Sequence, residues 1–524
     1  MHINIVDYFQ MRLLPFLLLL SLSTFAQNQQ VSTGLFFDGE PFLTVNPQNP
    51  QHFVVCWMGL NIGQGITIKT RTTFDGGATW SSVVSLPHAQ SDYASADPSL
   101  AFDTNGDVVA CYIDYINEPT AGGIYFVKSN DGGLSWSPMT LALDAFVDEL
   151  EYPIDRPWFS INPITNHYYL TSMSANWSVL PNKTYFAQSA DDGATWSDWS
   201  YLDAPGFLVG DLIQIPMVTN ATAPDGVFHA MYPSYVVSQN FLPGFILASS
   251  SDHGETFTYQ EALFAAGGNG EPLAKSGYRL AADPSNAQHL AFVFIYSLLG
   301  DPDVYLIETT NGGESWSTPQ RVNDDPAGND RLQDLTWAAF DNDGDLAIAW
   351  RDRRNAPTSG YATSQEIYGA VKWNGSQDIS ANFPISSEAA PYNATLLESS
   401  GNDFLSVTML NDTMSVAWGD VRNNKLDIWF QRINAQTGET ISISEIASET
   451  AELIRLYPMP ANQLLFFEGP TVPKCEAFTE EGKWVQSWNK PSGSLYTADL
   501  ATGVYLFRFY TLGGNQTLRV VIEH

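Results

Sequence analysis

Basic residues are scarce in this chain. Only 23 Lys and Arg stand against 57 Asp and Glu, a formal charge of −34 over 524 residues. Clustered cations supply nearly all non-specific affinity for phosphate, so a nucleic-acid or anionic-membrane partner is excluded. Cysteine is scarcer still: Cys56, Cys111 and Cys475 cannot build a disulfide framework. The first two each precede an aromatic in similar apolar runs, VVCWM and VACYI, and read as small core residues. The eight histidines are scattered, and no CxxC, HExxH or phosphate-loop pattern occurs, so neither a metal nor any other cofactor is expected. Apolar runs stay short of the roughly 18 residues that a membrane-spanning helix needs. What the chain does have is 44% hydrophobic residues, among them 30 Phe, 23 Tyr and 15 Trp, which is material for a large core.

At the start, Arg12 precedes an apolar run over residues 13–20, and Thr24, Phe25 and Ala26 offer small residues at alternate positions. Residues 1–26 therefore read as a cleaved export signal, with Met11 a candidate start, and the protein is expected to be secreted or on the cell surface.

A repeat organises most of the remaining chain. Five segments fall into register: TFDGGATW, SNDGGLSW, SADDGATW, SSDHGETF and TTNGGESW. They share an acid or amide, a glycine and a terminal aromatic: Asp75, Gly77 and Trp80; Asp131, Gly133 and Trp136; Asp191, Gly193 and Trp196; Asp252, Gly254 and Phe257; Asn311, Gly313 and Trp316. Weaker copies lie around Gly375 and Gly438, so the seven glycines are spaced by 56, 60, 61, 59, 62 and 63 residues. Each corner has a physical logic. The acid accepts hydrogen bonds from backbone amides just ahead, the glycine supplies positive φ, and the ring anchors the turn. These acids read as staples of the fold, not as catalytic carboxylates. Upstream of each corner stand three apolar runs, such as DPSLAF, VVACYI and GIYFVKS, and a short fourth run leaves it. Four strands every sixty or so residues predict a β-propeller over residues 27–448, with seven blades, or six with one unit outside the ring.

The corners resemble the Asp boxes, or BNR repeats, of the sialidase (neuraminidase) superfamily, and they span about four fifths of the chain. That resemblance implies an all-β propeller with the boxes on the blade periphery and a site at the axial mouth. It also implies an extracellular glycan or glycoprotein as partner. Sialidases of this kind hold a substrate carboxylate with three arginines, use a Tyr assisted by Glu as nucleophile, and an Asp as acid/base. The superfamily's early F/Y-R-I-P signature is absent, and GEPF stands in its place. This departure favours a propeller that binds a glycan or protein without catalysis. The other reading is an exo-acting glycoside hydrolase of sialidase type.

From about Leu453 the period breaks. RLYPMPANQLLFF and ATGVYLFRFYTLGGNQTLRVVIEH read as a small β-sandwich over residues 449–524. It resembles the type A sorting domain of the type IX secretion system of Bacteroidetes through Tyr457, Pro458, Pro460, Ala461, Gly503 and Tyr505, with Met459 where Asn is usual. The resemblance implies the secretion machinery as a partner and export through the outer membrane. An ordinary carbohydrate-binding or immunoglobulin-like appendage is the other reading.

Aligning the units puts Glu40, Asp97, Arg156, Gln214, Arg279, Asp334 and Asp403 where the first strand of each blade begins. If the sialidase pattern applies, a carboxylate clamp would use Arg156, Arg279 and one of Arg331, Arg353 or Arg354. Asp97, Asp155 or Asp334 would serve as acid/base, and Tyr278, or Tyr361 with Glu366, as nucleophile. WRDRRN and WGDVRN repeat in consecutive units, and their Asp352–Arg354 and Asp420–Arg422 read as ion pairs bracing neighbouring blades. DTNGD and DNDGD read as hairpin turns instead of calcium loops, since neither is followed by the bidentate Glu such a loop needs.

Overall fold

The computed structural model describes residues 28–524 except 62, 64, 117–120, 147, 149–153, 176–179, 214, 266–274, 276, 398–400, 442–453, 470, 480–482 and 512–513. The expected export signal and the expected boundary near residue 449 lie outside the described residues. Among the described residues the regular structure is all β-strand apart from a short helix at Ala394–Leu397.

Seven antiparallel four-stranded sheets run from residue 29 to residue 434. Their first strands are Asp38–Asn46, Tyr93–Phe102, Ile154–Ile161, Thr219–Thr222, Tyr278–Ala282, Gln333–Phe340 and Ser406–Leu410. These strands touch one another in that order, and the seventh touches the first, so the sheets close a ring around an axis as a β-propeller. Burial follows from place. The second strand of the fifth sheet, Leu290–Tyr296, is buried along its whole length because neighbouring sheets cover both faces. The outer strand of the fourth, Thr258–Phe264, alternates between half-buried and exposed. Along the axis, Phe42, Trp158, Trp337 and Phe404 meet from four different sheets with ring centroids 5.0 to 6.4 Å apart, so the channel is filled by aromatic rings.

The corners behave as their chemistry requires. In the second, Ser129 Oγ donates to Asp131 at 2.8 Å, and Asp131 also accepts from the Ser135 amide at 2.9 Å and hydroxyl at 2.6 Å. The same pattern recurs at Asp75, Asp191 and Asp252. At Asn311 the last bond reverses, its amide donating to Ser315 Oγ at 2.9 Å. Each corner also grips the preceding sheet. Trp196 packs on Phe126 and Phe257 on Phe186, while Trp136 donates to Thr70 Oγ1. A Cβ on Gly254 would lie 2.1 Å from the Phe186 ring, and its φ is +87°, so both sterics and backbone demand glycine.

In the last unit the structure departs from the expected order. The fourth strand of the seventh sheet is not its own continuation but Gln29–Gln30, which pairs with Phe430 and Trp429. The first segment of the propeller thus closes the last sheet and removes a free edge. Trp80 donates to Gln29, and Asn28 donates to Ile385 O and Gln431 and accepts from Arg422, which fixes the closing strand.

Beyond residue 453, a three-stranded sheet (Arg455–Tyr457, Leu464–Glu468, Ser494–Tyr496) and a four-stranded one form a sandwich. Their shared core includes Leu465, Cys475, Phe507, Phe509 and Ile522. Tyr510 joins Phe74 and Leu134 of the propeller in a small apolar contact. All three cysteines are free and buried, as small core residues.

Candidate functional site

In the first three sheets the inner strand bulges at the same place, between Gly39 and Phe42, Ala96 and Ser99, and Asp155 and Trp158. Each bulge holds a charged residue followed by proline: Glu40 and Pro41, Asp97 and Pro98, Arg156 and Pro157. Proline cannot donate to a strand ladder, so a bulge accommodates it. The charged residues adopt φ of 54°, 49° and 48°. Outside glycine this backbone costs on the order of 1 kcal/mol or more, and it persists only where the surroundings enforce it.

The three strained side chains meet. Arg156 Nη2 lies 2.5 Å from Asp403 Oδ2, and Lys275 Nζ binds the other oxygen of the same carboxylate. Glu40 interacts with Asp403, Lys275, Arg156 and Asp97, and Asp97 with Glu40, Asp155 and Arg156. Tyr115 faces Asp155, Asp97 and Glu40 from the second strand of the second sheet. Four carboxyls and two cations are therefore collected at one end of the aromatic plug. Arg156 stands over the Phe404 ring at 5.8 Å.

Because the cluster is buried and carboxyls outnumber cations, protonation divides unevenly. Burial, then the Asp403 charge, pushes the Glu40 carboxyl up to about 8, and Glu40 Oε2 has no hydrogen-bond partner. Burial, then Glu40 and Asp155, hold Asp97 well above the usual carboxylate range. Burial also works against ionisation of Asp403, but Arg156 and then Lys275 outweigh it and hold that carboxyl below its ordinary value. At neutral pH the site therefore contains a carboxyl that keeps a proton, Glu40, beside one that does not, Asp403. Such a division is the arrangement that acid–base work on a bound substrate requires. Both cations are committed to Asp403.

Of the remaining expected site residues, Arg279 and Tyr278 lie beside the axial rings and Arg156, and the others are dispersed. Arg279 lies between Trp337 and Trp158, 4.8 and 5.7 Å from their ring centres, and burial lowers its pKa to about 10. The Tyr278 hydroxyl donates to the Met217 carbonyl and burial raises its pKa, so it is not an activated nucleophile. Arg331 binds the carbonyls of Ala356 and Thr358. Asp334 differs from the expected alignment by one residue. The strained bulge position of the sixth sheet is Leu335, with φ 49°, and Asp334 pairs with Arg351 across the ladder. A one-residue offset turns a strand side chain to the other face. Asp334 accordingly leaves the axial group and accepts from Arg351 Nε at 2.7 Å and Arg353 Nη1 at 3.1 Å. Tyr361 accepts from Arg351 at 2.9 Å and lies under the Arg353 guanidinium, whereas Glu366 accepts from Asn355. Tyr361 and Glu366 thus have separate partners. Gln214 lies outside the described residues.

The WxDxRN pairs are matched struts. Trp350 and Trp418 donate to Asp352 and Asp420, whose arginines lie 4.2 and 4.3 Å over the rings of Tyr368 and Trp429. Arg354 and Arg422 reach on to Asp324 and Glu388 in the connections before their own sheets. In DTNGD, Asp103 is held by Lys128, Tyr168 and two turn amides, as in a hairpin turn. Lys275 is the member of the axial cluster that the repeat pattern does not reveal. It lies between sheets, and its signal in the sequence is that it is one of 23 basic residues in a strongly acidic chain.

No protein-family model matches this chain, and no curated protein is similar to it at a significant level. Among solved structures it is similar to a Hadza microbial sialidase, with 16% identity and a TM-score of 0.42 over 70% of this chain and 73% of that one. It is also similar to a protein of unknown function from Dyadobacter fermentans, with 13% identity and a TM-score of 0.44 over 66% of this chain and 96% of that one. An α-L-arabinofuranosidase from Fusarium graminearum gives 11% identity and a TM-score of 0.42 over 81% of this chain and 98% of that one.

Proposed function

We propose that this protein is a secreted or cell-surface propeller of sialidase-like architecture that binds a terminal, uncharged sugar of an extracellular glycan at its axial mouth. One observation carries the reading. Three charged residues, Glu40, Asp97 and Arg156, are held at positive φ before proline in three consecutive inner strands, and their side chains meet on the axis. Stored strain of this kind is retained where a site needs its groups aimed. An uncharged ligand is favoured because Asp403 already occupies both Arg156 and Lys275. A sialic-acid carboxylate would have to displace it. Residues 1–26 are the export signal, and the C-terminal sandwich is the element read by the secretion machinery. Its three-stranded sheet leaves Tyr457, Phe466 and Tyr496 exposed at 45%, 39% and 52%, an unusual amount of aromatic surface to present to water.

The second reading is hydrolysis, and the opposed protonation of Glu40 and Asp403 favours it. A protonated Glu40 would give its proton to the leaving glycosidic oxygen as the C–O bond breaks, with Asp403 ionised beside the positive charge developing on the sugar; water then bonds to the anomeric carbon and returns a proton to Glu40. Calorimetric titration with neutral and sialylated oligosaccharides, together with a panel of fluorogenic glycosides, tests both. Binding of neutral sugars that is lost in Arg156→Ala is expected. Preference for sialosides, or indifference to Arg156→Ala, defeats the binding reading. Turnover abolished by Glu40→Gln establishes the hydrolytic one.

A further inference from the structure

The sixth corner of the ring is degenerate, and its degeneracy opens a cavity. With Gly375 aligned on the other corner glycines, Trp373 stands where they carry the acid and Asp378 where they carry the aromatic ring. In the intact copies that ring covers the outer edge of the preceding sheet, as Trp196 covers Phe126 and Phe257 covers Phe186. The sixth corner has no such ring. The edge between the fifth and sixth sheets is left as a recess of about 530 Å³, lined among others by His289, Glu308, Trp316, Lys372, Trp373 and Asn374.

Two half-buried indoles and a set of polar groups line one concavity. Its ionisable groups pair with one another. His289 bridges Asp283 at 2.8 Å and Glu308 at 3.2 Å, and Lys372 lies 3.5 Å from Glu308 and donates to Ser376 O at 2.8 Å. These charged groups are engaged with one another. Indole faces receive the C–H face of a pyranose ring, and planar amides and polar side chains at the rim meet its hydroxyls. We infer that this recess is a second saccharide-binding site, for a neutral oligosaccharide, separate from the axial cluster. It would give the propeller two points of attachment to one glycan chain or surface, so that each raises the effective concentration at the other.

The test uses the full chain and four probes: cello-, manno-, xylo- and chitotetraose. Arg156→Ala, the change expected to abolish axial binding, serves as background, so that any binding that survives reports on the recess. In that background Trp373→Ala removes one aromatic wall. Asp378→Trp restores the missing corner ring and fills the opening without deleting a core residue. Calorimetry is expected to show binding of at least one probe to Arg156→Ala, with affinity falling tenfold or more in each double variant. The inference is overturned if no probe binds Arg156→Ala, or if binding is unchanged when Asp378→Trp fills the recess. Absence of any binding to Arg156→Ala while the wild-type protein still binds would fault this inference alone and leave the axial reading standing.

Discussion

Two buried arginine–carboxylate groups near the axial end of this propeller are built from the same residue types and come to opposite ends. In the sixth sheet, Arg351 and Arg353 share Asp334, and burial of that carboxyl is outweighed by Arg351 and then Arg353, which hold it below its ordinary value. Guanidiniums outnumber carboxylates, and the group is a strut. On the axis the ratio is reversed: Glu40, Asp97, Asp155 and Asp403 face Arg156 and Lys275. Too few cations remain to favour ionisation of every carboxyl, so Glu40 and Asp97 are both pushed upward and Asp403 alone is held down. The ratio of acids to cations, not the presence of either, separates a brace from a site.

That contrast can be broken most sharply at Asp334. Asp334→Ala strands two buried guanidiniums and is expected to cost about 3–5 kcal/mol, read as a large fall in the chemical-denaturation midpoint. Asp403→Asn should cost clearly less, because Glu40, Asp97 and Asp155 remain to meet the freed cations. Equal losses would erase the distinction drawn between the two groups. At the rim, Asp131→Ala removes the acceptor for the Ser129 hydroxyl and for the Leu134 and Ser135 amides, and about 2 kcal/mol of destabilisation is expected.

The pH response sharpens the contrast further. Glu40 shifts from 4.5 to about 8 on folding. Between those values the native state keeps a proton that the unfolded state releases, so the contribution of this group is full below about pH 4.5 and is lost as pH rises to about 8. The slope is at most about 1.4 kcal/mol per pH unit. Thermal unfolding from pH 5 to pH 8 should therefore be flatter in Glu40→Gln than in wild type. Asp403→Asn should flatten it as well, since the Asp403 charge is the second cause of the shift. A wild-type profile unaffected by either change would rule out a buried proton on Glu40. The smallest effect is expected at the fifth corner, where Asn311→Asp restores the acceptor pattern of the other four and should stabilise by about 0.5 kcal/mol.

Much of the fold is legible without coordinates because corners act locally. Asp131 reaches only from Ser129 to Ser135, and such short-range bonds leave a readable pattern of spacing and residue type. Ring closure by Gln29–Gln30 is different: its partners Phe430 and Trp429 lie some four hundred residues away, and two glutamines carry no strand signal of their own. The axial residues are half legible. Repeat alignment brings Glu40, Asp97, Arg156 and Asp403 to one end of the ring, yet misses the offset at Asp334, because a bulge of two residues is invisible to spacing counted in whole units.

Seven recurring corners, the strands between them and an acidity unsuited to phosphate are written into the chain before it folds. Those are matters of local bonding and composition, which each short segment carries within itself. Which carboxyls keep a proton, and which guanidiniums are already taken, is settled only in the folded ring. Electrostatic energy depends on distance and burial between residues from different sheets, and closure of the ring alone sets both.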